Sequence, residues 1–332
     1  MRNGKRNKLL WPFASDSIWN TAIGSAAAYQ AAGIVSVVAN GSPTQFSEDE
    51  DVIIMSPSAP LTDVYYNGVA WNGGDRCPPQ GNVLATIPIP GTYVLPNSGN
   101  NNAAAVLLPD GHTVEQNQPL TRCAAGGPAT TLVTFSNVEI SGPGISGAHG
   151  GSGLSALGGT IRLGEFTSGR IHHAMKAELQ AAQDYFCCAP HWPATVVDGY
   201  ANSTTYGGTN PNLGPGSLLA LLPSFDESRL ATIPGRILAH AFKDYGAYVV
   251  DDTAWNAWAL ATEQGPDGSV YSEFQTLYGY PMYPKPGDPF QADMTAIFEA
   301  LQVVTNSSPG SVGGGGTPRV PSPPALDDSV NW

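Results

Sequence analysis

Before residue 141 the chain runs as short segments at 51–55, 63–66, 83–89, 104–108, 113–116 and 131–140, often rich in β-branched or aromatic residues and bounded by Pro, Gly or Asn. Strands of this length, with turn residues at close intervals, favour hairpin pairing over the helical crossovers of alternating βα units. The run Leu108-Pro109-Asp110-Gly111-His112 is a hairpin signal in its own right, because Asp-Gly supplies the backbone angles of a tight turn. The pattern predicts a mainly β fold, an antiparallel sandwich or jelly-roll-like single domain, with a few helices. Candidate helices lie at 26–32, 171–186, 232–244 and 291–304. A strand is expected near 160–163, others at 194–198 and 247–250, and a buried strand or turn at 216–222.

Composition agrees with a turn-rich β protein. Of 332 residues, 39 are glycine and 29 proline, and only 12% are charged, a surface built from Ser, Thr and Asn as in many extracellular proteins. A net charge of −13 disfavours nucleic acid, which demands clustered Lys and Arg, and anionic membrane surfaces likewise. No stretch reaches the roughly 20 apolar residues of a membrane span.

The cysteines are Cys77, Cys123, Cys187 and Cys188. An even count in such a chain fits disulfides in an oxidising compartment. Pairing of Cys77 with Cys123 is favoured, leaving Cys187 and Cys188 as a vicinal disulfide or a buried thiol pair. Sequons at Asn40, Asn202 and Asn306 are compatible with export. MRNGKRNKLLWPF has a basic start without the apolar run of a signal peptide, so an export signal is expected to lie outside this sequence. Residues 1–10 read as a flexible N-terminus, 11–305 as the globular domain and 306–332 as a dispensable Gly/Pro-rich, linker-like tail.

The chemistry is expected in GPGISGAHGGSGLSALGGTIRLGEFTSGRIHHAMKAELQAAQDYF, residues 142–186, which holds His149, His172 and His173 with Arg162 and Glu165 between them. Glycine lets backbone approach a ligand closely, so the glycine-rich loop suggests a shaped site. On the expected 171–186 helix, Ile171, Met175, Leu179 and Ala182 form an apolar stripe. His172 and His173 would then sit in its first turn, where the helix dipole disfavours protonated imidazole.

The runs GGSGLSALGGTIRLGE, HWPATVVDGYA and AFKDYGAYVVDD, in that order, resemble a group of secreted bacterial and fungal proteins without an established activity. The similarity covers about residues 11–252. It implies export and a single β-rich domain, and it brings no catalytic residues. The tail also resembles linkers that join extracellular carbohydrate-active enzymes to binding modules.

Glycoside hydrolysis needs two carboxyl groups facing one bond. Glu165 is the first candidate, with Asp198, Asp251 and Asp252 as partners and His172 and His173 as tuning groups. His149, Arg162, Trp192, Tyr200, Tyr206 and Trp255 are candidate substrate-binding residues, the aromatics by stacking on sugar rings. A polysaccharide lyase is the alternative, with a His or Tyr base and a neutralising cation from Arg162 or Lys176. A metal site from His149, Glu165 and His172 or His173 has suitable ligand types but no short ligand spacing. Ser152 and Ser155 lack the G-x-S-x-G elbow of a serine hydrolase. A non-catalytic carbohydrate-binding, adhesive or fibre-forming protein remains the competing class. The expectation is a secreted carbohydrate-active hydrolase acting on a polysaccharide, without cofactor.

Overall fold

Along the longest strand, Gln45–Ile54, the residues Phe46, Glu48, Glu50, Val52 and Ile54 alternate with Ser47, Asp49, Asp51 and Ile53. Successive side chains of a strand point to opposite faces, so this strand delivers carboxylates to both sides of its sheet. The computed structural model of the chain describes residues 4–35, 45–71, 73–283 and 287–327, and its fold is mainly β.

Gln45–Ile54 lies inside a 12-stranded sheet. From one edge the order is Val138–Glu139, Thr113–Gln118, Ala104–Leu107, Gln45–Ile54, Ala257–Gly265, Met175–Leu179, Ala247–Asp252, Leu218–Ala220, Gln302–Val304 and Tyr29–Ala31; Val133–Thr134 and Gly268–Ser269 add to it beside Thr113–Gln118 and Ala257–Gly265. The expected hairpin is present: Ala104–Leu107 pairs antiparallel with Thr113–Gln118. The centre is mixed rather than antiparallel throughout, because Gln45–Ile54 runs parallel to both neighbours and Met175–Leu179 runs parallel to Ala247–Asp252. A second sheet pairs Leu61–Tyr66 with Val83–Pro88 and Ala129–Thr131.

One face of the large sheet is covered by the helices Ile233–Asp244, Val270–Tyr278 and Pro289–Ala300, with Phe46, Phe242, Trp258 and Phe298 in the shared core. The first helix follows its sequence signals: Thr232 Oγ1 accepts from Gly235 N, Pro234 occupies the first turn, and Gly246 follows the end with positive φ. The opposite face is covered by Phe13, Ile18 and Trp19 of the leading segment and by the glycine-rich loop. The three-stranded sheet closes a third core over Val52, Ile54, Ala104 and Val106.

Several expectations are corrected. Residues 171–186 are not one helix: Met175–Leu179 is a fully buried strand, followed by one short turn of helix at Ala181–Asp184. Its M-K-A-E-L alternation sends Met175, Ala177 and Leu179 into the helix-covered core and turns Lys176 and Glu178 to the other face. Residues 160–163 make only an isolated bridge from Ile161 to Thr262, and Glu165–Ser168 is a helical turn. Residues 194–198 form no strand, and Tyr29–Ala31 is an edge strand where a helix was expected.

The ends pack into the body as well. Gly24, Ser25 and Ala26 donate backbone hydrogen bonds to Gly313, Thr317 and Gly315, and Arg319 N donates to Ile23 O. Gly313, Gly314, Gly315 and Gly316 all take positive φ, so the run expected as a linker is a shaped turn that only glycine adopts freely. The Arg6 side chain is buried and donates to carbonyls of Trp11, Pro12, Phe13 and Pro324, holding the expected flexible N-terminus against the far end. The favoured disulfide Cys77–Cys123 is formed, and Cys187 pairs with Cys188. Of the sequons, Asn40 lies outside the described residues. The Asn306 side chain is tied to Ala26, Ala28 and Gly314. Among the described residues no helix is long and apolar enough to cross a membrane.

Candidate active site

On the face covered by the glycine-rich loop, the inward-pointing charges of three strands meet. Lys176 Nζ lies 2.7 Å from Asp51 Oδ2, and both side chains are fully buried. Thr160 Oγ1 donates to the same Asp51 oxygen at 2.7 Å. His149 comes in from Ser146–His149 and places Nε2 at 2.8 Å from Asp51 Oδ1. Burial pushes the Asp51 carboxyl up, but the Lys176 ammonium and His149 outweigh it and leave Asp51 below the usual carboxylate range. Burial and Lys176 push His149 down, and Asp51 and Asp251 more than reverse this, so its imidazole binds its proton more tightly than usual.

From this buried core the cluster opens outward. Asp251 Oδ2 stands 3.6 Å from His149 Nδ1, and the Asp251 side chain is 10% exposed. A Cβ on Gly151 would overlap the Asp251 carboxylate, so here the loop glycine does make room for a functional group. Glu178 lies close to Asp49, which accepts from Asn101 at 3.1 Å. Burial, followed by the charges of Asp49, Asp251 and Asp51, holds Glu178 well above the ordinary value.

Further out, Tyr206 Oη donates to Asp198 Oδ2 at 2.7 Å and Tyr200 Oη to Asp252 Oδ2 at 3.0 Å. The second Asp252 oxygen accepts from the backbone of Ala181 and Ala254. Burial, with the charge of Asp251 beside it, raises the Asp198 carboxyl to about 6; Tyr206 partly opposes this and Asp252 adds to it. Tyr200 is 51% exposed, and Trp255, on the loop after Asp252, is 61% exposed. One buried ion pair, one histidine and a fan of carboxyl groups thus lead to a rim bearing two aromatic rings.

Of the residues expected from sequence, this region gathers His149, Asp198, Tyr200, Tyr206, Asp251 and Asp252, with Trp255 on the adjoining loop. Glu165 is placed differently: its Oε2 accepts from Arg162 N at 2.8 Å and pairs with His173 Nε2 at 3.1 Å. Arg162 forms an ion pair with Glu263 at 2.7 Å, and His172 stacks on Trp11 with ring centroids 5.3 Å apart. With no long helix there, neither histidine occupies a helix N-terminus. Trp192 is partly buried against the core beneath the loop. A pocket lined by Trp11, Phe13, Trp19, Leu157, Arg162 and His173 has no carboxylate on its wall, so it lacks the parts of the expected acid/base pair.

The sequence pattern does not single out Asp49, Asp51 or Glu178, and it offers Lys176 only as a lyase cation. Asp49 and Asp51 sit in the run SEDED, which reads as a solvated stretch; only its strand alternation signals that every second carboxylate turns inward. Among the described residues no group of three His, Cys, Asp or Glu side chains is arranged to hold a metal ion. Comparison with protein-family models, curated proteins and solved structures gives no match, so the site is read from its own chemistry.

Proposed function

We propose that this protein is a glycoside hydrolase acting on a polysaccharide, with Asp198 as general acid and the neighbouring Asp251 as the carboxylate that assists attack on the sugar. The observation that carries this reading is the part-buried Asp198 carboxyl, bonded to Tyr206 Oη at 2.7 Å and acted on by the charges of Asp251 and Asp252. Its carboxyl, raised to about 6 beside Asp251 and Asp252, retains a proton at mildly acidic pH, as an acid that protonates a leaving oxygen must. Two carboxyl groups in unlike environments are the working parts of glycosidic cleavage. Tyr200 and Trp255 supply exposed rings for stacking on sugar faces.

A uronate substrate is disfavoured. Arg162 is committed to Glu263, Lys176 is buried against Asp51, and the rim is acidic, so the lyase reading ranks second. Two disulfides support an extracellular setting. The exposed Tyr200 and Trp255 also suit a binding module without catalysis, and one experiment separates the two. Asp198→Asn and Asp251→Asn are compared with the parent on a panel of neutral polysaccharides, following release of reducing ends and binding to the same polymers. The hydrolase reading expects turnover to fall by roughly 10²–10⁴ in each variant with binding retained. Binding by the parent without release of any reducing end favours the binding module.

A further inference from the structure

Lys176 Nζ donates to Ser155 O at 3.0 Å and Ala156 O at 2.9 Å and forms an ion pair with Asp51 Oδ2 at 2.7 Å. His149 Nε2 lies 3.2 Å from Nζ and, closer, 2.8 Å from Asp51 Oδ1, a carboxylate oxygen that can only accept. Two facing lone pairs would repel at that distance, so Nε2 carries a proton and donates it to Asp51 Oδ1. That fixes the tautomer and leaves Nδ1 as the only variable position of the ring. Nδ1 is buried, has no hydrogen-bond partner and faces Asp251 Oδ2 at 3.6 Å. A bare lone pair opposite a carboxylate repels it in a medium that screens poorly, whereas an N–H there attracts it. The charges agree: Asp51 is balanced by Lys176, so a protonated His149 balances Asp251.

We propose that His149 is the positioning residue for Asp251, an imidazolium held between two carboxylates with Nε2–H on Asp51 and Nδ1–H on Asp251. Its role in turnover rests on the hydrolase reading above; its protonation pattern does not. A charged Nδ1–H attracts Asp251 Oδ2 across 3.6 Å from the protein side, while Oδ1 accepts from Asp252 N at 2.9 Å. The charged groups acting on the ring are Asp51 and Asp49 from Gln45–Ile54, Lys176 from Met175–Leu179 and Asp251 from Ala247–Asp252, with Glu178 close to Asp51 and Asp251. Because His149 is fully buried, it acts on substrate only through Asp251.

Ring-nitrogen NMR of the full ¹⁵N-labelled chain tests this across a pH series, in the parent and in Asp251→Asn. The expected result is both ring nitrogens protonated at mildly acidic pH, with only Nδ1 losing its proton as pH rises. In Asp251→Asn the midpoint falls by about one unit or more, since a carboxylate that favours the charged ring is gone. A neutral ring protonated at Nδ1, or a midpoint unmoved in Asp251→Asn, overturns the proposal. If Asp251→Asn does not fold, the parent spectra decide by the tautomer alone. In catalysis, His149→Gln should lower kcat at least about tenfold with KM little changed, as expected when a group acts on the reacting carboxylate rather than on binding. Unchanged kcat removes the role in turnover. A parent that cleaves no polysaccharide removes the hydrolase reading, and the spectra still decide the His149–Asp251 contact.

Discussion

Lys176 and Asp51, from strands far apart in sequence, meet at 2.7 Å with neither side chain exposed to solvent. A buried pair costs much desolvation, and removing one partner leaves the other charge without compensation. Lys176→Met should therefore destabilise the fold by about 3–5 kcal/mol, measured by urea unfolding. Lys176→Met/Asp51→Asn should recover a large part of that loss. A loss below about 1 kcal/mol in the single variant, within the range of an exposed pair, would mean that the pair is not ionised in the folded state.

Buried carboxyl groups elsewhere give stability the opposite pH dependence. Burial raises Glu48, bonded to Thr262, to about 8 and Glu115, bonded to Asn117, to about 7. With folded values above the ordinary 4.5, their contribution is complete below 4.5 and is lost as pH rises through 7 and 8. Asp51, held below its ordinary 3.8, contributes above that value and loses its contribution as pH falls through its lower folded value. The melting temperature should therefore be higher near pH 5 than near pH 8, and Glu48→Gln should flatten the slope. A melting temperature that climbs from pH 5 to pH 8 contradicts this placement of the two glutamates.

The closing segment is expected to be indispensable. Residues 313–319 exchange several backbone hydrogen bonds with residues 23–26, and Arg6 N donates to Ala325 O. At about 0.5–1.5 kcal/mol each, their loss on truncation after Ser307 should cost about 3 kcal/mol or more. A truncated chain that melts with the parent would return this segment to the status of a linker.

Much of the fold was legible in local pattern. The Asp110-Gly111 hairpin and the Thr232–Pro234 helix start both depend on neighbours in sequence, and both are present. Residues 175–179 misled because Ile171, Met175 and Leu179 fit a helical stripe while M-K-A-E-L fits a strand equally well, and five residues cannot separate the two periods. The structure is decided by pairing with Ala247–Asp252 and Ala257–Gly265, which no local pattern contains. The site was half legible for the same reason: Asp198, Asp251 and Asp252 stood out beside aromatics, but Asp51 becomes meaningful only opposite Lys176 and His149.

Glu165 marks the sharpest contrast. Its carboxylate accepts from Arg162 N and pairs with His173, so Glu165→Gln should leave polysaccharide turnover within about twofold of the parent, the behaviour of a group outside the acid/base step. It should lower thermal stability by roughly 1–3 kcal/mol, the usual effect of weakening a buried charged hydrogen bond. A fall in turnover of orders of magnitude without loss of stability would return Glu165 to the reaction.

The acid role of Asp198 is the centre of the account, and the pH dependence of kcat/KM on a cleaved polysaccharide tests it most directly. A general acid works only while protonated, so activity should fall as pH rises past about 6, the value to which burial and Asp251 bring Asp198. In Asp198→Asn the remaining rate should be far lower and that alkaline limb should vanish. Parent-like rates in Asp198→Asn, or an alkaline limb that persists near 6 without the carboxyl, would contradict the assignment.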